Sequence, residues 1–385
     1  MWLSDVSIVL RNRVIACGSL RIENGLITEI AETGGTATHT VYPGFVDMHG
    51  DMIEHEMEPR PGVDFPMDVA VNHLDARLAA AGVTTAYAGV SFSRTAKDGD
   101  RRSYQHTTDI IRALKSQQAD LRVDHRIHAR FDITFTAAID SLENLLTAGS
   151  VDLVSVMDHT PGQGQYRNLE KLIAYRMRDG KVSEQEARAQ IQTRIDASLP
   201  TEDIYTNLQT VSRLCKAHGI AVASHDDDTM EKANIMADVG AVISEFPVTM
   251  EAAEVAVKRG MMTAMGAPNA MRGQSYSGNL SARDAHAAGL LHILAADYHP
   301  AAILPAIHAL AETDPDGLPG AVRLATTNPA EVLGLTDRGE IALGKRADLA
   351  VVDTQNRVVT TFSEGQTVFS NGTVTPTANS PIAAV

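Results

Sequence analysis

Between residues 41 and 300, short apolar runs alternate with longer amphipathic stretches. Parallel strands cannot be joined by tight turns, so this alternation commits a chain to a parallel sheet covered by helices. The first run, 41–46, is broken by Pro43-Gly44 and leads into Asp47-Met48-His49-Gly50-Asp51. A helix is predicted over 67–82, with Val71, Leu74 and Leu78 on one face. Strands follow at 83–92, 124–135 and 151–160, with a helix over 103–118. A polar, largely helical insertion occupies roughly 161–200 and precedes a helix at 206–218. Further strands are expected at 219–229, 240–249, 260–269 and 290–300, with helices such as 250–259 and 280–289 between them. Eight strand–helix units in this order predict a TIM (β/α)8 barrel rather than a doubly wound sheet.

Both ends of the chain read differently. Residues 7–32 form short strands around Asn24-Gly25, a strong hairpin signal. A second β-rich segment begins at 339 and carries another Asn-Gly at 371–372, before a loose tail at 375–385. Residues 1–42 and 338–385 are therefore expected to form a small β-sandwich domain, with 43–337 as the barrel.

A net charge of −15 argues against nucleic acid or an anionic membrane as partner, but admits a small anion where arginines cluster. Cys17 and Cys215 are the only cysteines, so no disulfide framework is expected and a reducing, cytoplasmic location is. Asp5 precedes the first apolar run and Arg11 and Arg13 follow it, the reverse of a secretory leader. A homo-oligomer is compatible with this composition.

In a TIM barrel the active site gathers at the C-terminal ends of the strands. Ionisable residues fall at those ends: His49 and Asp51 after the first strand, His128, Arg130 and Asp132 on the third, Asp158 and His159 on the fourth. His225 and Asp226 end the fifth, Glu245 the sixth and Asp297 the eighth. Singly, each has a bland reading: His128 as a core histidine, His159 as a cap before Pro161, Asp297 as a helix cap. Together they would be costly to bury on one rim unless paired or bound to metal, so a divalent-metal site is expected. A second set suits an anion. Arg60 follows the first half-site, and residues 266–282 combine Arg272 with Gly273, Ser275, Ser277, Gly278 and Asn279 after the seventh strand. A glycine-rich loop with an arginine there is how a barrel holds a phosphate; the alternative is a solvated glycine–serine loop. No Gly-x-Ser-x-Gly elbow, P-loop or dinucleotide fingerprint is present.

PGFVDMHGD near the start and TNPAEVLGL…GKRADLAVVD near the end resemble the amidohydrolase superfamily over nearly the whole chain. Within it, HGDMIEHEMEPRPGVDFP, HRIHARFD, SVMDHTPGQGQY, ASHDDDT, EFPVTMEAAE, MGAPNAMRGQSYSGN and DYHP most resemble the PhnM family of α-D-ribose 1-methylphosphonate 5-triphosphate diphosphatases. The resemblance implies a metal-dependent hydrolase of that sugar triphosphate, with one or two divalent ions, zinc or manganese. It implies His49, Asp51, Asp132, His159, His225 and Asp297 as ligands, with Asp297 also the proton acceptor. Arg60, Arg130, Arg167, Arg272 and the loop at Gly273, Ser275 and Ser277 would hold the triphosphate, with the insertion near Tyr166 and Arg167 as a lid. The chain departs from the superfamily in having His-x-Asp for His-x-His, no lysine ending the fourth strand, and Glu245 where a histidine is usual. It departs from its nearer relatives in Asp132 for Glu, and in Gln274 and Tyr276 for Gly and His. The competing readings are a cyclic amidase, deaminase or deacetylase, and a non-catalytic scaffold.

Overall fold

The computed structural model describes residues 1–60, 62–92, 104–275 and 278–378. Eight strands lie side by side in chain order, each parallel to the next: β5 (Phe45–Gly50), β6 (Val83–Phe92), β7 (Asp124–Asp132), β8 (Leu153–Met157), β9 (Ala221–His225), β10 (Ile243–Glu245), β11 (Met262–Gly266) and β12 (Ile293–Ala295). The ends of this sheet nearly meet. Asp51 N donates to Asp297 O at 2.7 Å and Asp297 N to His49 O at 2.9 Å, which sews the first barrel strand to the last. The interior is filled by Val46, Met48, Tyr87, Leu153, Ile243 and Ile293, as a packed TIM barrel requires. Outside, the apolar faces of the helices cover the strands; Val71, Leu74 and Leu78 of the helix Met67–Ala80 are all buried there. Threonines set helix starts after two short strands: Thr229 and Thr249 side chains each accept a backbone N–H at 3.1 Å, from Lys232 and Ala252.

The termini build a separate sheet from β1 (Trp2–Val9), β2 (Val14–Glu23), β3 (Leu26–Glu32), β4 (His39–Pro43), β13 (Leu349–Val352), β14 (Val358–Ser363) and β15 (Gln366–Ser370). Asn24 and Gly25, with φ of 49° and 79°, make the hairpin turn between β2 and β3. The other such turn is Glu364-Gly365, not Asn371-Gly372, which lies beyond β15. The sheet curls until Ala347 N reaches Gly25 O and Gly344 N reaches Ile27 O, both at 2.8 Å, and encloses its own core of Leu3, Ile8, Leu20, Ile27, Leu349 and Phe362.

The run 41–46, read from sequence as one strand, is shared by both sheets. Its first half is β4, paired with β1 and β13, and its second half opens the barrel as β5. The chain changes sheet at Pro43-Gly44 because proline cannot donate to a ladder and Gly44 has no room for a side chain. A Cβ there would collide with the Thr84 side chain. The insertion folds as two antiparallel helices, Leu169–Asp179 and Glu184–Asp196, around a small core of Leu172, Ile173, Ala187 and Ile191. Among the described residues, no helix is long and apolar enough to cross a membrane.

Candidate metal centre

The rim at the C-terminal ends of the barrel strands holds a compact buried triad, His49, His128 and Glu245, whose ligand atoms all lie within 4.8 Å of one another. Each comes from a different strand. The β5–β6 ladder slips between Asp47 and Gly50, a bulge-like irregularity that re-aims the end of β5 and brings His49 against His128, ring centroids 5.1 Å apart. His49 Nδ1 is 3.2 Å from Glu245 Oε1. His128 Nε2 is 2.8 Å from Ser155 Oγ on β8 and 3.8 Å from Glu245 Oε2.

Around the triad stand the other strand-end residues. On β7, His128, Arg130 and Asp132 share a face by the period-two rule and meet successive partners toward the rim. Arg130 Nη1 bonds to Asp51 Oδ1, and Asp132 Oδ2 lies 3.7 Å from His159 Nδ1. His49, His225 and His159 form a row of rings, with centroids 5.5 and 6.5 Å apart. Asp51 Oδ1 is 3.3 Å from His49 Nε2, so the two residues of the His-x-Asp motif do converge. Asp297 sits at the barrel seam, its carboxylate close to Gly266, where a Cβ would meet Oδ2 at 3.0 Å.

Backbone strain is concentrated at the same place. Asp226, Phe246 and Asp297, each within two residues of a strand's end, have φ of 55°, 51° and 58°. This left-handed region is unusual for any residue with a side chain and most costly for a bulky one such as Phe246. In each case the strained residue's N–H carries on to the neighbouring strand: Asp226 to Glu245 O, Phe246 to Ala264 O, Asp297 to His49 O. The kink turns the side chains at these ends into the rim while the ladder continues.

The electrostatics fit a cation. Burial pushes the Asp297 carboxyl up, and the Asp51 charge adds to it, to about 7. Burial likewise raises Asp47, to about 6, although the N–H groups of Ala296 and His49 partly oppose it. Burial works against a charged His49, yet Glu245 and Asp51 beside it hold its proton on. These carboxylates therefore demand positive charge, which His49 supplies as imidazolium; a divalent ion binding its ring nitrogen would take that proton's place. Glu245 Oε2 and both ring nitrogens of His225 are buried without a hydrogen-bond partner among the described residues, although His225 Nδ1 is 2.9 Å from Asp226. Lone pairs left without donors in a dry site are what a metal would use.

The residues expected from the sequence to bind an anion divide. Arg167, Arg272 and Ser275 border a cavity of about 680 Å³ between the insertion and the loop after β11. Tyr166, also on its wall, places its ring 6.1 Å from that of His159, so the cavity adjoins the rim that carries the candidate metal centre. Arg130 is buried and committed to Asp51. Arg60 is exposed on the loop after the helix Ile53–Met57 and does not border the cavity. Gly273, with φ of 78°, caps the helix Ala267–Arg272 and does not line the cavity either. Ser277 and Tyr276 lie outside the described residues. The expected ligand set omitted His128 and Glu245, although both had stood out as polar residues on barrel strands. Asp47, which directly follows the run 41–46, was not among the expected site residues.

The profile of the amidohydrolase family matches residues 40–375. The chain is 37% identical, over 383 residues covering 96% of it and 100% of the relative, to the alpha-D-ribose 1-methylphosphonate 5-triphosphate diphosphatase of Escherichia coli strain K12. Among solved structures, 5-methylcytosine deaminase from Klebsiella pneumoniae superposes with a TM-score of 0.65 at 17% identity, covering 96% of this chain and 98% of that one. N-acetylglucosamine-6-phosphate deacetylase from Thermotoga maritima gives 0.61 at 15% identity, covering 96% and 100%. At such identities these two structures speak to the fold alone.

Proposed function

The chain belongs to the amidohydrolase family, and from that premise we propose that it is a metal-dependent diphosphatase acting on α-D-ribose 1-methylphosphonate 5-triphosphate in phosphonate degradation. The observation that carries this reading is the adjacency of two unlike sites. A histidine–carboxylate rim with unpartnered ligand atoms shares the Tyr166–His159 contact with a cavity bearing Arg167 and Arg272. In a chain of net charge −15, local cations beside a metal centre suit a polyanion. A neutral cyclic amide or nucleobase would have no use for them.

His49, His128 and Glu245 would hold the ion, with Asp51, His225 and Asp297 near it and His159 and Asp132 completing the rim. Zinc or manganese, one ion or two, would suit such a mixed shell and, when bound, would supply acidification of water and a Lewis acid at the phosphoryl oxygens. The water oxygen bonds to the α-phosphorus. The bond from that phosphorus to the oxygen bridging α and β breaks, and its electron pair leaves on diphosphate. Asp297 accepts the water's proton, a role suited to a carboxyl whose buried position already favours proton uptake. Arg167 and Arg272 bind the phosphates, and Arg130, bonded to Asp51, holds that carboxylate in place.

The test is phosphorus NMR of the purified protein with the sugar triphosphate. The reading expects equimolar diphosphate and sugar phosphate, loss of turnover after chelation, and recovery with zinc or manganese. Full activity in protein shown to be metal-free by elemental analysis overturns it.

A further inference from the structure

The helix Leu169–Asp179 has two faces. Leu172 and Ile173 pack into the insertion's own core, while Lys171, Ala174, Tyr175 and Arg178 border the cavity. That second set is spaced i, i+3, i+4, i+7, the stripe one side of a helix presents. Glu170 is drawn off this face: its carboxylate pairs with Arg188 on the neighbouring helix at 2.9 Å. Across the cavity stand Arg272, Gln274, Ser275, Gly278 and Asn279. The wall thus carries four cations, Arg167, Lys171, Arg178 and Arg272, and none of its described residues is acidic. Arg167, Arg178 and Arg272 have no carboxylate within ion-pair distance among the described residues, whereas most of the other described arginines do.

Lys171 is also aimed at the loop. The Lys171 ammonium occupies the space that a Cβ on Gly278, whose φ is 74°, would take. Only a residue without a side chain lets that ammonium come so near the loop backbone.

We propose that this cavity is the subsite for the β- and γ-phosphates, and hence for the departing diphosphate, with Lys171 and Arg178 as its specificity residues. This rests on the diphosphatase reading and deepens it. The metal rim takes the α-phosphate, where the bond breaks. The insertion holds the end that leaves, so its cations count phosphates and bind the product without help from the metal. Four cations around one cavity match the three to four negative charges of diphosphate far better than those of orthophosphate, and each charge-assisted contact adds to that difference.

The test is calorimetric titration of the full chain with inorganic diphosphate, with chelator present. Saturable binding is expected, at least about tenfold tighter than that of orthophosphate. The Lys171→Ala/Arg178→Ala double variant should lose about tenfold or more in diphosphate affinity, and Lys171→Arg/Arg178→Lys should keep most of it. Both positions are exposed, and matching circular dichroism and melting temperature establish that the variants are folded. Diphosphate that fails to bind without metal, or binds the double alanine variant as well as the wild type, overturns the subsite. Absence of sugar triphosphate hydrolysis would instead overturn the diphosphatase reading, and the binding measurement does not depend on turnover.

Discussion

His49 Nδ1 lies 3.2 Å from Glu245 Oε1, so the first and sixth strands of the barrel share one buried contact across its rim. Glu245 fixes the imidazole and is itself a ligand candidate. Glu245→Gln keeps the volume but removes the charge that calls for a cation. The expected outcome is a loss of divalent-ion affinity of about 100-fold, read by competition with a chromogenic chelator. Wild-type metal stoichiometry after dialysis against that chelator would contradict the assignment.

Asp47 closes the barrel. Its Oδ1 accepts the N–H of Ala296 at 2.8 Å and that of His49 at 3.2 Å, joining first and last strands beneath the site. Asp47→Ala leaves two buried donors unpaired and should cost about 2 kcal/mol or more in stability. It should also weaken metal binding, because His49 loses its backbone anchor. Chemical denaturation of the metal-free protein measures the first effect. A melting curve superimposable on the wild type would show the seam to be held without Asp47.

The barrel was legible because its strands are apolar runs bounded by turns and its helices repeat at 3.6 residues, both local properties of sequence. The rim was legible for a similar reason: His225 and Glu245 end their runs, and a charged residue there has few other uses. What pairs with what was not legible. His128 meets Glu245, 117 positions later, only because the sheet curves on itself, and Glu245 sits on a strand of three residues. The split of 41–46 between two sheets also escaped, since both halves look equally strand-like and only the packing of Gly44 against Thr84 separates them. The place of Arg60 was not legible either, since adjacency in sequence to His49 and Asp51 does not carry across the intervening helix Ile53–Met57.

Asp75 ties the helix Met67–Ala80 to the start of β7. Its buried carboxylate accepts from the N–H groups of Arg122 and Val123 at 3.0 Å and lies 3.2 Å from His125 Nε2. Burial alone would raise its pKa, but His125 and the Arg122 contacts hold it below the usual carboxylate range. A folded pKa below the unfolded one means that the carboxylate stabilises the fold above its unfolded value of about 3.9, and that this is lost as pH falls through the folded value. Asp75→Asn should therefore melt lower than wild type at pH 7, with the gap closing below pH of about 4. A gap independent of pH would show that shape, not charge, makes the contribution.

Arg272 offers a charge test of the cavity. Losing one forked guanidinium–phosphate contact costs on the order of 2 kcal/mol, so Arg272→Met should lower kcat/KM for the sugar triphosphate by about tenfold or more. A small singly charged phosphodiester, which reaches only the metal rim, should be affected much less. Arg272→Lys should rescue in part, since a point charge cannot reproduce the fork. Equal loss on both substrates would assign Arg272 to the structure of the rim or to the chemical step.

The proposed reaction breaks the bond at the α-phosphorus, beside His49, His128 and Glu245, with the diphosphate lying toward the insertion. Hydrolysis of the sugar triphosphate in oxygen-18 water, followed by phosphorus NMR, reads that position directly. Attack there leaves one heavy oxygen on the sugar 5-phosphate and none on the diphosphate. Label in the diphosphate, or release of labelled orthophosphate, would place the attack on the β- or γ-phosphorus and contradict it.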